Sequence, residues 1–156
     1  MFTGYQLYRR MIRRRTNKRI SKSLVADNIV FKSRIELLCY NKLKESKLKD
    51  YGYERRKIIL QDTFTYDGKY YTKGVGSMGI ACYGRKILHI SYTPDFTIVK
   101  NGVSHYIETK GYERDDFKLK KKMFLYWLSK NSPQSLYIEC FNSRQIDEAI
   151  RLIESQ

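Results

Sequence analysis

The sequence contains few cysteines and histidines and no long apolar run. The three cysteines, Cys39, Cys82 and Cys140, are far apart and form no Cys-x-x-Cys pair, which argues against a zinc site and a disulfide framework. We expect reduced, half-buried thiols. The two histidines, His89 and His105, lack metal-ligand spacing, and we expect each on a strand surface. No apolar stretch reaches the roughly 18 residues that indicate a membrane-spanning helix.

Acidic residues are scarce relative to basic ones. The 156 residues include 31 Lys and Arg against 16 Asp and Glu, a formal net charge of +15. A field of that sign concentrates polyanions, and nucleic acid is the default polyanion inside a cell. An anionic membrane surface is the second candidate, but no basic amphipathic helix stands out. Because the basic N-terminus lacks the apolar segment of a signal peptide, we expect a cytosolic protein.

Residues 1–22 contain no acidic residue. A block of like charges usually repels itself into a flexible arm, and basic arms usually lie along phosphates. The alternative is a solvated tail that only aids solubility. We predict a DNA-binding arm whose cationic residues are Arg9, Arg10, Arg13, Arg14, Arg15, Lys18, Arg19 and Lys22.

The remaining residues, 23–156, predict a single α/β domain around a mixed sheet, with no second core. Apolar spacing predicts helices over 34–48, from Asp115 or Asp116 to about residue 130, and over 143–154. Strands are predicted at 91–99, 103–110 and 136–141, and Asn101-Gly102 predicts a tight turn. The second helix should turn Phe117, Met123, Phe124 and Trp127 inward.

The region from Tyr51 to Tyr92 is rich in tyrosine and is interrupted by glycines, which predicts several short strands and hairpins. Its segment 74–79 superficially suggests a phosphate-binding loop. No Lys-Ser or Lys-Thr follows, and no helix is expected there, so a hairpin loop is favoured.

Two segments concentrate the residues able to perform chemistry, Pro94-Asp95 and Glu108-Thr109-Lys110. Alternation along a strand points Glu108 and Lys110 to the same face. The intervening turn folds the second strand beside the first, which can bring Asp95 near Glu108. Two carboxylates suit a hard cation such as Mg²⁺, and the lysine can lie within reach of an attacking water or a phosphate. The alternative is a turn aspartate and a solvated ion pair.

Pro-Asp followed by Glu-x-Lys on the next strand resembles the signature of the PD-(D/E)xK nuclease superfamily. The sequence is similar, more closely, to the phage Holliday-junction resolvases called endonuclease I. The matching segments lie within residues 31–144: 31–36 (Phe-x-Ser-x-x-Glu), 92–96 (Tyr-Thr-Pro-Asp-Phe), 108–111 (Glu-Thr-Lys-Gly), 115–118 (acidic then basic) and 141–144 (Phe-Asn-Ser-Arg).

The resemblance implies a restriction-endonuclease-like fold, a mixed sheet flanked by helices. It implies Mg²⁺-dependent hydrolysis of phosphodiester bonds in branched DNA such as Holliday junctions, with Mn²⁺ able to substitute. The implied metal ligands are Glu36, Asp95, Glu108 and Thr109; the implied catalytic residues are Glu36, Asp95, Glu108 and Lys110. Lys118 is an implied DNA contact. A homodimer is also implied, in which the first helix can be exchanged between protomers, and a phage-encoded chain would act in the bacterial cytoplasm.

Glu36 has a second interpretation, because Ser33-x-x-Glu36 is also a capping box in which the glutamate bonds back to the Ser33 amide. We favour the ligand role on the resemblance. The 58 residues between Glu36 and Asp95 exceed the usual spacing, so we expect an extra hairpin within 51–92. Two other functions stay open: a superfamily endonuclease acting on ordinary duplex DNA, and a non-catalytic DNA-binding protein on a nuclease scaffold.

Overall fold

The computed structural model describes residues 24–72, 80–111 and 115–156. It confirms a mixed α/β fold. In chain order the elements are β1 (Leu24–Ala26), β2 (Ile29–Phe31), α1 (Arg34–Glu45), β3 (Asp50–Tyr53), β4 (Ile58–Gln61), β5 (Phe64–Tyr66), β6 (Tyr70–Thr72), β7 (Ile80–Cys82), β8 (Arg85–Ile87), β9 (Ile90–Tyr92), β10 (Phe96–Lys100), β11 (Val103–Thr109), α2 (Asp115–Asn131), β12 (Tyr137–Cys140) and α3 (Ser143–Glu154). None of the described helices has the length and apolar character needed to span a membrane.

The largest sheet has the strand order β12-β11-β10-β3. β11 runs parallel to β12, whereas β10 is antiparallel to both β11 and β3. The predicted turn between β10 and β11 is confirmed: Asn101 and Gly102 have φ angles of 51° and 78°, as a two-residue hairpin loop requires. This hairpin sets the register of the strands that carry the acidic residues.

The strand predicted at 91–99 is wrong as one element. β9 ends at Tyr92 and pairs with β4, whereas β10 begins at Phe96 and pairs with β11 and β3. Pro94 lies in the break and has no amide hydrogen to donate to a ladder. Asp95 therefore lies at the entrance to β10.

The first helix ends at Glu45 rather than at residue 48. The backbone N–H of Ser46 donates to the Leu43 carbonyl at 3.1 Å, and its hydroxyl donates to the same oxygen at 2.7 Å. Two hydrogen bonds to one carbonyl stop the helix there, since Ser46 itself is extended.

The core divides into two clusters because neighbouring residues of β11 point to opposite faces of the sheet. Ile107 joins the first cluster, which lies beneath α1 and α3, and Tyr106 joins the second, which lies beneath α2. Phe124 and Leu128 are the buried residues of α2, and Phe117 and Trp127 pack partly buried against the same cluster. The single domain thus has two core layers, one on each side of the sheet.

The extra hairpin expected between Tyr51 and Tyr92 is present as one interrupted two-stranded ribbon. β4 pairs with β9, β5 with β8 and β6 with β7, so the pairs are nested and all antiparallel. We call residues 58–72 and 80–92 the ribbon. The segment 73–79, which contains the whole of segment 74–79, lies outside the described residues.

Burial of the thiols is greater than expected. Cys39 and Cys140 are free and fully buried in the first cluster, so the prediction of half-buried thiols is wrong for both. Burial raises the pKa of Cys140 to about 11 and also raises the pKa of Cys39. Both thiols therefore serve as small apolar core groups.

The two histidines differ in their exposure to solvent. His89 is exposed, between β8 and β9, whereas His105 is 1% exposed, so its prediction as a strand-surface residue is wrong. The Nδ1 atom of His105 accepts a hydrogen bond from the Leu136 amide at 3.2 Å. Its buried Nε2 has no hydrogen-bond partner in the described part of the chain. Burial lowers the pKa of His105, because the charged form loses its hydration.

His105 should make stability depend on pH. Because its folded pKa lies below the unfolded value of about 6.5, its contribution is complete above that pH and is lost as the pH falls through the folded pKa. The slope should approach about 1.4 kcal/mol per pH unit at most. Unfolding by denaturant between about pH 7.5 and about pH 5 measures it. Asp95, whose pKa is raised to about 7, titrates in the same window with the opposite sign, so His105→Asn, whose side-chain oxygen can still accept from Leu136, serves as the reference. The stability of the parent should fall relative to that of His105→Asn as the pH is lowered; parallel profiles for the two proteins would contradict the assignment.

Candidate active site

The hairpin of β10 and β11 brings Asp95 and Glu108 together. Phe96 pairs with Ile107, so Asp95 and Glu108 are the next opposed positions toward the open end of the hairpin. The Asp95 amide donates to Glu108 Oε2 at 3.2 Å. The amide and the hydroxyl of Thr109 both donate to Asp95 Oδ2 at 2.8 Å. The two carboxylates are therefore held in one hydrogen-bonded unit.

Glu108 and Lys110 point to the same face, as strand alternation predicts. Lys110 Nζ forms an ion pair with Glu108 Oε1 and lies 3.6 Å from the centroid of the Phe117 ring. The Tyr92 hydroxyl donates to Glu108 Oε2 at 2.6 Å. Glu108 is buried, and Lys110 is held between a carboxylate and an aromatic ring. Neither side chain is a freely solvated surface charge.

The electrostatics of the pair favour a cation. Burial and the neighbouring charge of Glu108 raise the pKa of Asp95 to about 7, and the charge of Glu36 acts in the same direction. Burial also raises the pKa of Tyr92, so its hydroxyl is a neutral donor to Glu108. A second cation beside Lys110 would offset the repulsion between the two acids.

Glu36 makes the contacts of a helix cap. Its Oε2 accepts from the Lys32 amide at 2.8 Å and from the Tyr53 hydroxyl at 2.5 Å, and its Oε1 accepts from the Ser33 hydroxyl at 2.8 Å. Ser33 in turn accepts from the Glu36 amide at 3.2 Å. The capping alternative is therefore realised, although the backbone donor is Lys32 rather than Ser33.

Glu36 also interacts electrostatically with the acidic pair. Its charge contributes to the raised pKa of Asp95. The two residues belong to one chain, in which α1 packs against its own sheet through the first cluster. Within one chain, α1 thus packs on the sheet that carries Asp95 and Glu108.

A hard cation fits the oxygen donors of this group. Asp95 Oδ1 accepts no hydrogen bond from any described residue, and Glu108 Oε1 is held only by Lys110. Thr109, predicted as a ligand, uses its amide and hydroxyl to hold Asp95. Over the ranges that the structure describes, no three His, Cys, Asp or Glu side chains converge as a metal cage. Mg²⁺ uses one or two protein carboxylates and keeps several waters, so the pair suffices as its protein ligands.

Sequence reasoning missed the tyrosines beside Glu108. The hydroxyls of Tyr92 and Tyr137 are 3.3 Å apart, and Tyr137 donates to Glu139 at 3.1 Å. Glu139 lies opposite Glu108 in the parallel pair and forms an ion pair with Lys121 at 3.0 Å. Tyr92 could have been found, since it belongs to the same short motif as Asp95. Tyr137 and Glu139 are brought beside Glu108 by the pairing of β11 with β12, which short motifs do not predict.

Of the predicted DNA contacts, only Lys118 lies within the described residues. Lys118 is exposed in the first turn of α2 and pairs with Asp115 at 3.0 Å. The basic arm, residues 1–22, lies outside the described residues, as does Tyr112, which borders the candidate site in sequence.

Residues 16–140 match the family described as a protein of unknown function, DUF1064. The chain belongs to the DUF1064 family. The matched DUF1064 segment contains Glu36, Asp95, Glu108 and Lys110 together with the whole ribbon, and it ends with β12, before α3. No curated protein and no solved structure matches the chain.

Proposed function

We propose that this DUF1064 protein is a metal-dependent endonuclease that hydrolyses phosphodiester bonds in DNA. The observation that carries the proposal is the unit at the open end of the β10–β11 hairpin, where Asp95, Glu108 and Lys110 are joined through hydrogen bonds and an ion pair. The resemblance of the same residues to the PD-(D/E)xK signature supports it. The net charge of +15 suits a polyanionic substrate.

In this proposal Asp95 and Glu108 would hold Mg²⁺, or Mn²⁺ in its place, with Glu36 as the third acidic residue. The ion, when bound, supplies positive charge that stabilises the phosphate undergoing attack. Thr109 fixes the orientation of Asp95 and Tyr92 fixes that of Glu108, so the carboxylates need little rearrangement to bind. Lys110, held in place by Glu108 and Phe117, orients the attacking water or donates to a phosphate oxygen.

Branched DNA, and four-way junctions above all, is the proposed substrate, on the basis of the resemblance to the resolvases. Recognition would use phosphates and DNA shape rather than base edges. Symmetric cutting of a junction requires two active sites, which a two-fold homodimer supplies most simply. Each protomer would contribute a complete site, since α1 and the sheet of one chain already lie together.

A cleavage assay tests the function. A four-way junction and a linear duplex of the same sequences are incubated with the full chain in Mg²⁺, Mn²⁺, Ca²⁺ or chelator. We expect cleavage of the junction in Mg²⁺ and Mn²⁺ only, because a pair of carboxylates suits a small octahedral cation that keeps several waters, whereas Ca²⁺ takes more oxygen ligands at longer distances and in looser geometry. Equal cutting of the duplex would indicate an ordinary duplex endonuclease. Tight binding without cleavage would instead indicate a non-catalytic DNA-binding protein.

A further inference from the structure

The ribbon begins at the candidate active site. Its innermost pair joins Ile58 to Tyr92, and both side chains are buried in the second cluster beneath α2. Tyr92 is also the residue that donates to Glu108. The inner end of the ribbon therefore packs beside the β10–β11 hairpin. A ligand bound farther out along the ribbon is held by the same chain segment that contacts Glu108.

The outer part of the ribbon exposes an aromatic pair around a cation. The Nζ of Lys69 lies 5.4 Å from the centroid of the Tyr71 ring and 5.6 Å from that of Tyr83. Tyr71 is 62% exposed and Tyr83 is 63% exposed. Because Tyr71 pairs with Ala81, alternation places Tyr71 and Tyr83 on one face. We call Lys69, Tyr71 and Tyr83 the ribbon platform.

Charge identifies the class of partner. The described residues of the ribbon include three cationic side chains, Lys69, Arg85 and Lys86, against two acidic ones, Asp62 and Asp67. Arg55, Arg56 and Lys57 precede the ribbon at its inner end, where Arg55 forms an ion pair with Asp50. Exposed aromatic rings among cations are the features by which proteins hold single-stranded nucleic acid, since every base has a face that stacks and every nucleotide has a phosphate. A purely apolar protein partner would not match this charge.

We infer that the ribbon platform binds unpaired bases of the DNA substrate, with the bases stacked on Tyr71 and Tyr83 and a phosphate held by Lys69. This inference rests on the proposed nuclease function and narrows its substrate to DNA in which unpaired nucleotides lie about the length of the ribbon away from the cleavage site. Stacking is tolerant of sequence, so the platform selects DNA structure rather than base identity.

Binding of a labelled single-stranded oligonucleotide to the full chain in chelator tests the platform without cleavage. Tyr71→Ala/Tyr83→Ala should weaken binding by about tenfold or more. Tyr71→Phe/Tyr83→Phe keeps both rings and removes only the hydroxyls that hydrogen-bond to Lys69, so its binding should stay much closer to that of the parent. Lys69→Gln should lower the slope of log affinity against log salt by about 0.7. Blunt duplex binding should change little in all three variants.

The matched control is Tyr126→Ala. Tyr126 is 67% exposed on α2, and the centroid of its ring lies 5.6 Å from the Nζ of Lys130. It is therefore an exposed tyrosine beside a lysine, like those of the platform, but outside the ribbon. Its loss should leave single-strand binding unchanged. Circular dichroism and thermal unfolding check that every variant is folded.

Parent-like single-strand binding by Tyr71→Ala/Tyr83→Ala would overturn the inference, as would an equal loss in Tyr126→Ala. A change in sedimentation without a change in DNA binding would overturn it too, since the ribbon would then be an interface between protein chains. Failure of the proposed function is a separate result: the parent would bind single strands through the platform and yet cleave nothing in Mg²⁺.

Discussion

Asp95→Asn, Glu108→Gln and Lys110→Ala should each lower Mg²⁺-dependent cleavage by about a thousandfold or more, which corresponds to about 4 kcal/mol of activation free energy. Asp95→Asn and Glu108→Gln remove the charge that would bind the cation, and Lys110→Ala removes the only ammonium that pairs with Glu108 in the described part of the chain. Initial rates of junction cleavage, measured at saturating Mg²⁺ and DNA, give the comparison.

The unfolding temperatures of the site variants distinguish a loss of cleavage activity from a loss of folding, because the electrostatics of the site predict how each temperature changes. Asp95 and Glu108 repel one another in the folded chain, and this repulsion adds to burial in raising the pKa of Asp95 to about 7. Neutralising Asp95 removes that repulsion and keeps an oxygen that accepts from Thr109, so Asp95→Asn should unfold at the parent temperature or above it in the absence of metal. Glu108→Gln also breaks the buried ion pair with Lys110, so it should unfold below the parent temperature. The matched controls for the loss of a charged side chain are Lys42→Ala and Asp147→Asn, each of which breaks the 2.5 Å ion pair between α1 and α3 and should leave the cleavage rate unchanged. Full cleavage activity in any one of the three site variants would refute the assignment of the site.

Removal of residues 1–22 should weaken DNA binding on the order of a hundredfold at near-physiological salt and should flatten its salt dependence. The deletion removes eight cationic side chains and no acidic one. For every phosphate of duplex DNA that the arm no longer neutralises, the slope of log affinity against log salt should fall by about 0.9. A salt titration of junction binding in chelator, with and without the arm, measures how many phosphates the arm neutralises.

Two comparisons keep the arm experiment specific. A chain with the same 22 residues in shuffled order should bind as the parent does, because the proposed binding depends on charge rather than on sequence. The Mg²⁺ concentration for half-maximal cleavage should stay the same in the truncated chain, since the arm contributes none of the proposed ligands. An unchanged salt slope after truncation would mean that the arm is only a solubility tail.

Local patterns were enough to predict that Asp95, Glu108 and Lys110 converge. Asn101-Gly102 determines a two-residue hairpin, and alternation along β11 determines that Glu108 and Lys110 share a face. Together they place Asp95 beside Glu108. The mixed α/β class and the bounds of α3 also follow from local periodicity, because each depends on spacing within one short segment.

Long-range packing decided the features that sequence reasoning missed. In the sequence His105 is an ordinary strand residue; in the fold the connection after α2 covers it, and its ring accepts from Leu136. Glu108 acquires Glu139 as a neighbour only through the parallel pairing of β11 with β12. The division between β9 and β10 depends on Pro94 and on two different partner strands. None of these relations is encoded within a window of a few residues.

The position of α3 has a practical consequence for anyone who trims this protein to its family boundaries. The DUF1064 match ends at residue 140, yet α3 buries Ile146, Ile150 and Ile153 against the sheet. Full burial of an isoleucine is worth about 1.5–3 kcal/mol, so three of them approach the roughly 5–15 kcal/mol that typically holds a domain together. A fragment that stops at the family boundary would present a bare apolar sheet face to water, and insolubility of that fragment would reveal nothing about the activity of the whole chain.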